Sequence, residues 1–184
     1  MFQFSFFYSL HMQKSTFIKY IQSLNEEELK HELENLYAFS PDVKQFYIME
    51  LGSEKDRQRI YNNIKKDIES KYVTRSLRRP RKPRISKIRA ILRNLERQKS
   101  FTYELGEVFL FNVECATKYV KAHWIITDPI RNIIFETYEK ACLYIRDALM
   151  EDTYMDRINE CIVNVQRHPL LSLEMEKIRD RVFD

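Results

Sequence analysis

The sequence predicts an all-α fold: a single domain of about eight or nine short-to-medium antiparallel helices, packed as consecutive helical hairpins. The chain has only two glycines and five prolines in 184 residues, whereas β-rich and doubly wound folds need many residues that tolerate positive φ. Apolar residues recur three and four positions apart along most of the chain, as on one face of a helix. Helix-start signals also recur at short intervals, so successive short helices must turn back on one another.

Four helix starts are predicted in the N-terminal third. Asn25 followed by Glu28 resembles a capping box, in which each side chain bonds to the backbone N–H of the other residue. Pro41 favours another start, because proline at the first helical position loses no hydrogen bond. The candidate N-caps, whose side chains accept a hydrogen bond from a free N–H, are Ser15, Asn25, Ser40 and Ser53.

A proline-containing connector at 71–85 separates these helices from the rest. Pro80 and Pro83 cannot continue a helix and favour extended or polyproline-II backbone. Ser86 is the candidate cap of the following helix. The later boundaries that we predict are a long helix from about Thr102 to Ile126, a start at Asp128-Pro129 and a break at His168-Pro169.

The single helical domain is predicted to cover residues 12–184. Residues 1–11 are apolar and aromatic, but they lack the positive region and cleavage site of a secretory signal. Met12 then opens a segment that resembles an ordinary protein start. We therefore interpret residues 1–11 as a hydrophobic extension from an upstream start site. The alternative is an apolar arm that packs on the body or on a neighbouring molecule.

The composition excludes several activities. Two isolated glycines (Gly52 and Gly106) cannot form the phosphate loops of P-loop or dinucleotide-binding proteins. Cys115 and His123, the nearest Cys–His pair, are two helical turns apart, and we read them as a buried thiol and an edge imidazole rather than a metal site. We therefore expect no cofactor, no metal, no catalytic residues and no enzymatic activity. Trp124 lies near a predicted helix end, where the sequence does not distinguish a pocket edge from core.

The three cysteines are widely spaced and fit no disulfide framework. This pattern is typical of a reducing compartment, so we expect a cytoplasmic protein with free thiols. No segment of the sequence suggests a membrane span, and the sequence assigns no oligomeric state.

Residues 71–93 hold ten Lys or Arg and no Asp or Glu, whereas the whole chain has a net charge of only +4. The rest of the chain is thus net negative. On the helix after the connector, Arg89, Arg93 and Arg97 recur every four residues, on the face opposite Leu92 and Leu95. The candidate binding residues are Arg75, Arg78, Arg79, Arg81, Lys82, Arg84, Lys87, Arg89, Arg93 and Arg97.

Two interpretations of this basic segment stay open. Clustered arginines suit contacts to phosphates, which predicts a non-catalytic protein that binds RNA or DNA independently of sequence. The connector has no interleaved aromatic residues, so we expect no base stacking from it. The alternative is a helical scaffold that docks an acidic protein partner, or pairing of the arginines with acids of the chain itself, such as those in 26–34 or 151–156.

The residues from 12 onward resemble a bacterial family known only as a domain of unknown function, DUF6155. The likeness rests on FIKYIQSLNEEELKHELENLYAFSPDVKQFYIMEL, IYNNIKKDI, the basic connector, ISKIRAILRNL and FETYEKACLYI. It has no counterpart for residues 1–11. The resemblance implies an all-helical fold, and it supplies neither an activity nor an assigned site.

Overall fold

The computed structural model of the protein describes residues 13–73, 81–98 and 101–184, and every regular element within these ranges is an α-helix. The all-α prediction, with nine helices in the described ranges, is therefore confirmed. No helix in these ranges is long and apolar enough to cross a membrane. The helices are α1 (Lys14–Ser23), α2 (Glu26–Phe39), α3 (Pro41–Leu51), α4 (Glu54–Tyr72), α5 (Ile85–Arg97), α6 (Thr102–His123), α7 (Asp128–Asp147), α8 (Glu151–Asn164) and α9 (Pro169–Phe183).

The chain separates into two compact units that divide after Gln45. In the first unit, Tyr20 on α1 donates a 2.7 Å hydrogen bond to Glu32 on α2. None of its described residues, 13–45, is fully buried. The second unit, residues 46–184, contains α4 to α9 and a continuous apolar core. The interpretation of residues 1–11 lies outside the described residues and stays a prediction, as does the single-domain extent of 12–184.

Three of the predicted helix caps form as expected, and one of them is Ser40, whose Oγ accepts a 3.4 Å hydrogen bond from the Val43 N–H. The Asn25 side chain accepts a hydrogen bond from the Glu28 N–H, and the Glu28 carboxylate accepts one from the Asn25 N–H, each at 2.9 Å. Ser53 Oγ accepts a 3.2 Å hydrogen bond from the N–H of Asp56 at the start of α4. The predicted starts of α3 at Pro41 and of α7 at Asp128-Pro129 are also confirmed, and the predicted break at His168-Pro169 separates α8 from α9.

Two predicted caps are wrong. Ser15 lies inside α1, which begins one residue earlier with Gln13 as its N-cap. Ser86 lies inside α5, whose N-cap is Arg84. The start of α5 is set by a tertiary contact that the sequence does not reveal, because the Arg84 N–H donates a 3.3 Å hydrogen bond to the carbonyl oxygen of Lys71 at the end of α4.

The predicted end of the long helix at Ile126 is also wrong. Helix α6 ends at His123, because Trp124 adopts left-handed backbone with φ 57° and ψ 23°. A residue in this conformation terminates a helix.

Helices α6 and α7 form the central hairpin. Asn112, midway along α6, donates a 3.0 Å hydrogen bond to Thr137 on α7, and Gly106 near the start of α6 lies against Ile145 near the end of α7. The two helices are therefore antiparallel. A β-carbon on Gly106 would lie only 3.0 Å from Cγ1 of Ile145, so the glycine allows the helices to approach closely.

The other helices pack on this hairpin in two layers. Helices α4 and α8 pack on α6, and α5 and α9 pack on α7. Helices α4 and α6 run parallel, because an earlier residue of α4 bonds to an earlier residue of α6 and a later one to a later one, as in Tyr61–Glu104 and Tyr72–Asn112. The same order holds for α8 and α6, in Arg157–Glu114 and Lys121–Asn164. It also holds for α5 and α7, in Arg89–Glu136 and Lys140–Glu96.

The second unit is thus a stack of three helical hairpins, α4–α5, α6–α7 and α8–α9, which confirms the predicted packing of consecutive hairpins. The bonds between hairpins join residues 38 to 50 positions apart, so the hairpins are not a repeat of constant length. Since α4, α6 and α8 point the same way, their C-terminal ends lie at one edge of the stack. The described non-helical residues at this edge are 73, 81–84, 124–127 and 165–168.

Candidate nucleic-acid interface

Seven of the ten candidate residues can be placed in the structure. Arg75, Arg78 and Arg79 lie outside the described residues. Arg81, Lys82 and Arg84 belong to the non-helical end of the connector, and all three are exposed. The others lie on α5: Lys87, Arg89, Arg93 and Arg97.

The described end of the connector is anchored through its backbone. The hydroxyl of Tyr119 on α6 donates a 3.4 Å hydrogen bond to the carbonyl oxygen of Arg81, and the Arg84 N–H bonds to Lys71 as described above. Burial raises the pKa of Tyr119, so its hydroxyl stays protonated and remains a donor. The backbone is therefore fixed while the basic side chains project into solvent.

One of the seven described candidates is neutralised by a carboxylate. Arg89 donates two hydrogen bonds to Glu136 on α7, from Nε at 3.1 Å and from Nη2 at 2.9 Å. The other six form no ion pair with any carboxylate in the described ranges. The six described candidates other than Arg89 are therefore not held by the acids that the alternative of internal pairing requires.

The cations on α5 form a ridge rather than a patch. The predicted amphipathic pattern is confirmed, because Leu92 and Leu95 are buried whereas Arg93 and Arg97 are exposed. At 1.5 Å per residue, Arg97 lies about 20 Å along the helix from Arg84 and close to the opposite edge of the stack. The candidates thus divide into a cluster at one edge and a ridge that leads away from it.

A groove of about 390 Å³ lies between α5 and α7 beside this ridge, and Arg89 and Arg93 line it. Most of its charges already have partners. Besides the Arg89–Glu136 pair, Lys140 Nζ lies 2.5 Å from Glu96 Oε1. The groove is therefore a poor phosphate site, since only Arg93 among its described cations lacks a carboxylate partner.

Further basic and aromatic residues lie beside Arg81, Lys82 and Arg84 at the C-terminal ends of α6 and α8. Sequence reasoning did not select them. Trp124 is 55 % exposed, and the guanidinium carbon of Arg167 lies 4.1 Å from the centre of its ring. Lys121 and His168 line the same pocket, whose volume is about 310 Å³. The only sequence signals were the predicted helix end near Trp124 and the predicted break at His168-Pro169.

The connector and this pocket are linked through α6. The Tyr119 hydroxyl bonds to Arg81, and its ring lies 4.7 Å from the His123 ring, next to Trp124. We refer to the combined surface as the basic edge. Its members are Arg81, Lys82, Arg84, Lys87, Lys121, Trp124, Arg167 and His168.

Acidic residues are unevenly distributed between the two edges. The first turns of α5 and α9, which begin at the basic edge, contain no acid. Asp128 at the start of α7 pairs with Arg131, and Asp67 near the end of α4 pairs with Lys71. Glu69, in the last turn of α4, is an exposed acid close to this edge. The opposite edge instead carries Glu54, Asp56, Glu151 and Asp152 in the first turns of α4 and α8. Glu104, in the first turn of α6, is buried and bonded to Arg57 and Tyr61.

The three cysteines are free thiols remote from nucleophilic chemistry. Cys142 and Cys161 are buried and Cys115 is half-buried. Burial raises the pKa of each to about 12, so none is a thiolate near neutral pH. Within the described parts of the chain, no three His, Cys, Asp or Glu side chains are grouped as metal ligands.

The fold defines an all-α protein built from stacked helical hairpins. The chain belongs to the family of unknown function DUF6155, whose model matches residues 12–182; the family resemblance seen in the sequence is thereby confirmed. No curated protein and no solved structure is significantly similar to the chain.

Proposed function

We propose that this protein is a non-catalytic module that binds RNA or DNA through the phosphate backbone, independently of sequence, at the basic edge. The observation that carries the proposal is the absence of carboxylate partners, in the described ranges, for Arg81, Lys82, Arg84 and Lys87. Like charges held together on a fixed backbone repel one another, and a polyanion relieves that repulsion.

The geometry of the connector supports phosphate contact. Arg81 and Arg84 are exposed on backbone that hydrogen bonds to Tyr119 and Lys71 fix in place, so little conformational entropy of the main chain is lost on binding. Arginine presents a planar set of donors that matches two phosphate oxygens. Arg89 is left out of the proposed contacts, because Glu136 already occupies its guanidinium.

The helix N-termini at the basic edge also favour the binding of anions. Helices α5, α7 and α9 direct their N-termini, and thus the positive end of the helix dipole, towards this edge. Their free N–H groups favour anions, and α5 and α9 have no acid in the first turn to satisfy them. We place the protein in the cytoplasm, where its free thiols stay reduced.

The proposal is tested by fluorescence anisotropy with a labelled 20-nucleotide RNA and a 20-base-pair DNA of arbitrary sequence. With four to six phosphate contacts, the logarithm of the DNA association constant falls with the logarithm of salt concentration with a slope of about −4 to −5. The variant Arg81→Gln/Lys82→Gln/Arg84→Gln is expected to weaken binding at least tenfold, because each lost phosphate contact removes counter-ion release.

A second triple variant controls for the change in net charge. Lys55, Arg59 and Lys66 are exposed on α4, away from the basic edge, and Lys55→Gln/Arg59→Gln/Lys66→Gln removes the same three charges. It is expected to change affinity less than twofold. Equal losses in the two variants, or no binding by the unmodified protein in 50 mM salt, contradict the proposal. A stoichiometric acidic protein that co-purifies after nuclease treatment would favour the scaffold alternative instead.

A further inference from the structure

Trp124 occupies a position where glycine is usual. It directly follows α6 with φ 57° and ψ 23°, a left-handed conformation that a β-carbon disfavours. Its indole is nevertheless 55 % exposed, so burial in the core does not compensate for the strain. A large exposed ring on strained backbone is a feature that ligand sites often show.

The surroundings of the ring are basic. Arg167 stacks over it at 4.1 Å, and Lys121 and His168 line the adjoining pocket of about 310 Å³. Lys121 donates a 2.8 Å hydrogen bond to the side-chain oxygen of Asn164, an uncharged partner that leaves its positive charge uncompensated. No acidic residue lines this pocket among the described residues.

The pocket and the basic connector are linked through α6. Tyr119 bonds through its hydroxyl to Arg81 and contacts the His123 ring through its own ring, and His123 precedes Trp124. Arg81 and Trp124 are therefore joined through Tyr119 and His123 at the same end of α6.

We propose that Trp124 is a stacking platform for an unpaired base, so that the preferred ligand of the basic edge is single-stranded nucleic acid. This inference rests on the proposed function and names its substrate class. An exposed indole stacks on the face of any base, which gives affinity without sequence readout. In a duplex the base faces are covered by their neighbours, so the ring gains contact only with a single strand.

Arg167 has two roles in this arrangement. Its guanidinium holds the indole in place from one face, and its charge attracts the phosphate next to the stacked base. The part of the ring that remains exposed is the part available to the base.

The inference is tested by the emission of Trp124, which is the only tryptophan in the chain. The probes are the single strand (dT)12, a 12-base-pair DNA duplex, and inorganic polyphosphate of about 12 phosphates, which carries charge but no base. Only (dT)12 is expected to quench the emission. Duplex and polyphosphate are expected to compete with (dT)12 for the basic edge without quenching.

Variants separate stacking from charge. Trp124→Gly removes the ring and tolerates the left-handed backbone; it is expected to weaken (dT)12 binding about tenfold and to leave duplex and polyphosphate binding unchanged. Trp124→Tyr is expected to retain most of the affinity for (dT)12. The matched control is Leu149→Gly, since Leu149 also has positive φ and is 85 % exposed, but follows α7 at the opposite edge; it is expected to change no affinity.

The outcomes distinguish the two proposals. If duplex and polyphosphate bind but (dT)12 does not quench, or if Trp124→Gly weakens single-strand and duplex binding equally, the stacking inference is overturned and the proposed function stands. If none of the three polyanions binds, both are overturned.

Discussion

Asn112 on α6 donates its side-chain amide to the hydroxyl of Thr137 on α7 across 3.0 Å, at the centre of the hairpin stack. Asn112 Oδ1 accepts a 2.9 Å hydrogen bond from the hydroxyl of Tyr72 on α4, and Thr137 donates to the carbonyl oxygen of Ile133. This buried polar chain joins three helices and fixes their register, because apolar contacts alone are not directional.

Replacing the central residue of this chain is expected to be costly. Asn112→Ala leaves the Tyr72 hydroxyl buried without an acceptor, and each such group costs about 1–3 kcal/mol. Urea denaturation is expected to show a loss of at least about 2 kcal/mol in the free energy of unfolding. The double variant Tyr72→Phe/Asn112→Ala is expected to lose less than the sum of the single variants; additive losses would mean that the two side chains act independently.

Two buried tyrosines are expected to respond oppositely to loss of the hydroxyl. Tyr138 is fully buried, and its hydroxyl lies near the weakly bonding Cys142 thiol, without a conventional partner among the described residues. Tyr61 donates a 2.6 Å hydrogen bond to the buried carboxylate of Glu104. Tyr138→Phe is expected to leave stability unchanged or raise it by up to about 1 kcal/mol, whereas Tyr61→Phe lowers it by about 1–3 kcal/mol. Chemical denaturation of both variants checks this, and a loss in Tyr138→Phe comparable to that in Tyr61→Phe would contradict it.

Arg157 is expected to make stability depend on pH through Glu107. Burial raises the pKa of the Glu107 carboxyl, but hydrogen bonds from Arg157 and Lys65 lower it more, so it lies below its ordinary value of 4.5. A carboxylate with a lowered folded-state pKa stabilises the fold above that ordinary value, and the contribution is lost as pH falls through the folded-state pKa. Arg157→Met, which removes one cation, is expected to cost about 1–3 kcal/mol at pH 7.

Denaturation at neutral and acidic pH measures this effect. The difference in unfolding free energy between the unmodified protein and Arg157→Met is expected to shrink from pH 7 to about pH 3.5. Arg181→Met is the control, because Arg181 pairs with Glu139 at 2.7 Å but is 63 % exposed. It is expected to change stability by less than about 1 kcal/mol at either pH. A constant difference for Arg157→Met across this range would refute the assignment to Glu107.

The Arg89–Glu136 pair is expected to restrain the proposed nucleic-acid binding. Glu136→Gln releases the Arg89 guanidinium and removes a negative charge beside the ridge. Affinity for duplex DNA is expected to rise, and the salt slope to steepen by about one phosphate contact. Asp152→Asn, at the opposite edge, removes the same charge and is expected to leave the slope unchanged. An unchanged slope in Glu136→Gln would show that the ridge does not contact phosphate.

Most local structure that depends on a residue's own helix was predictable from the sequence. The cap at Asn25 and the starts at Pro41 and at Asp128-Pro129 depend on groups within four residues, so the pattern reveals them. The apolar stripe of α5 was predictable for the same reason. Ser15 and Ser86 were predicted wrongly as caps because a serine near a helix start fits the sequence pattern of an N-cap even when the helix begins one or two residues earlier.

The candidate site was predictable only in part. The exposure of Arg81 and Arg84 follows from a proline-stiffened connector, but the pairing of Arg89 depends on Glu136, 47 residues further along the chain. Trp124 and Arg167 are likewise brought together by the parallel packing of α6 and α8. The sequence contains no signal for which residues of two packed helices face each other, since that alignment depends on how the hairpins stack.

The exposed acids of the opposite edge bear on how the molecule would be oriented on a ligand. Glu54, Asp56 and Asp152 are exposed there, so a molecule bound to a polyanion as proposed would direct these carboxylates away from it. The reversed orientation, with these acids against the phosphates, is disfavoured by repulsion between like charges.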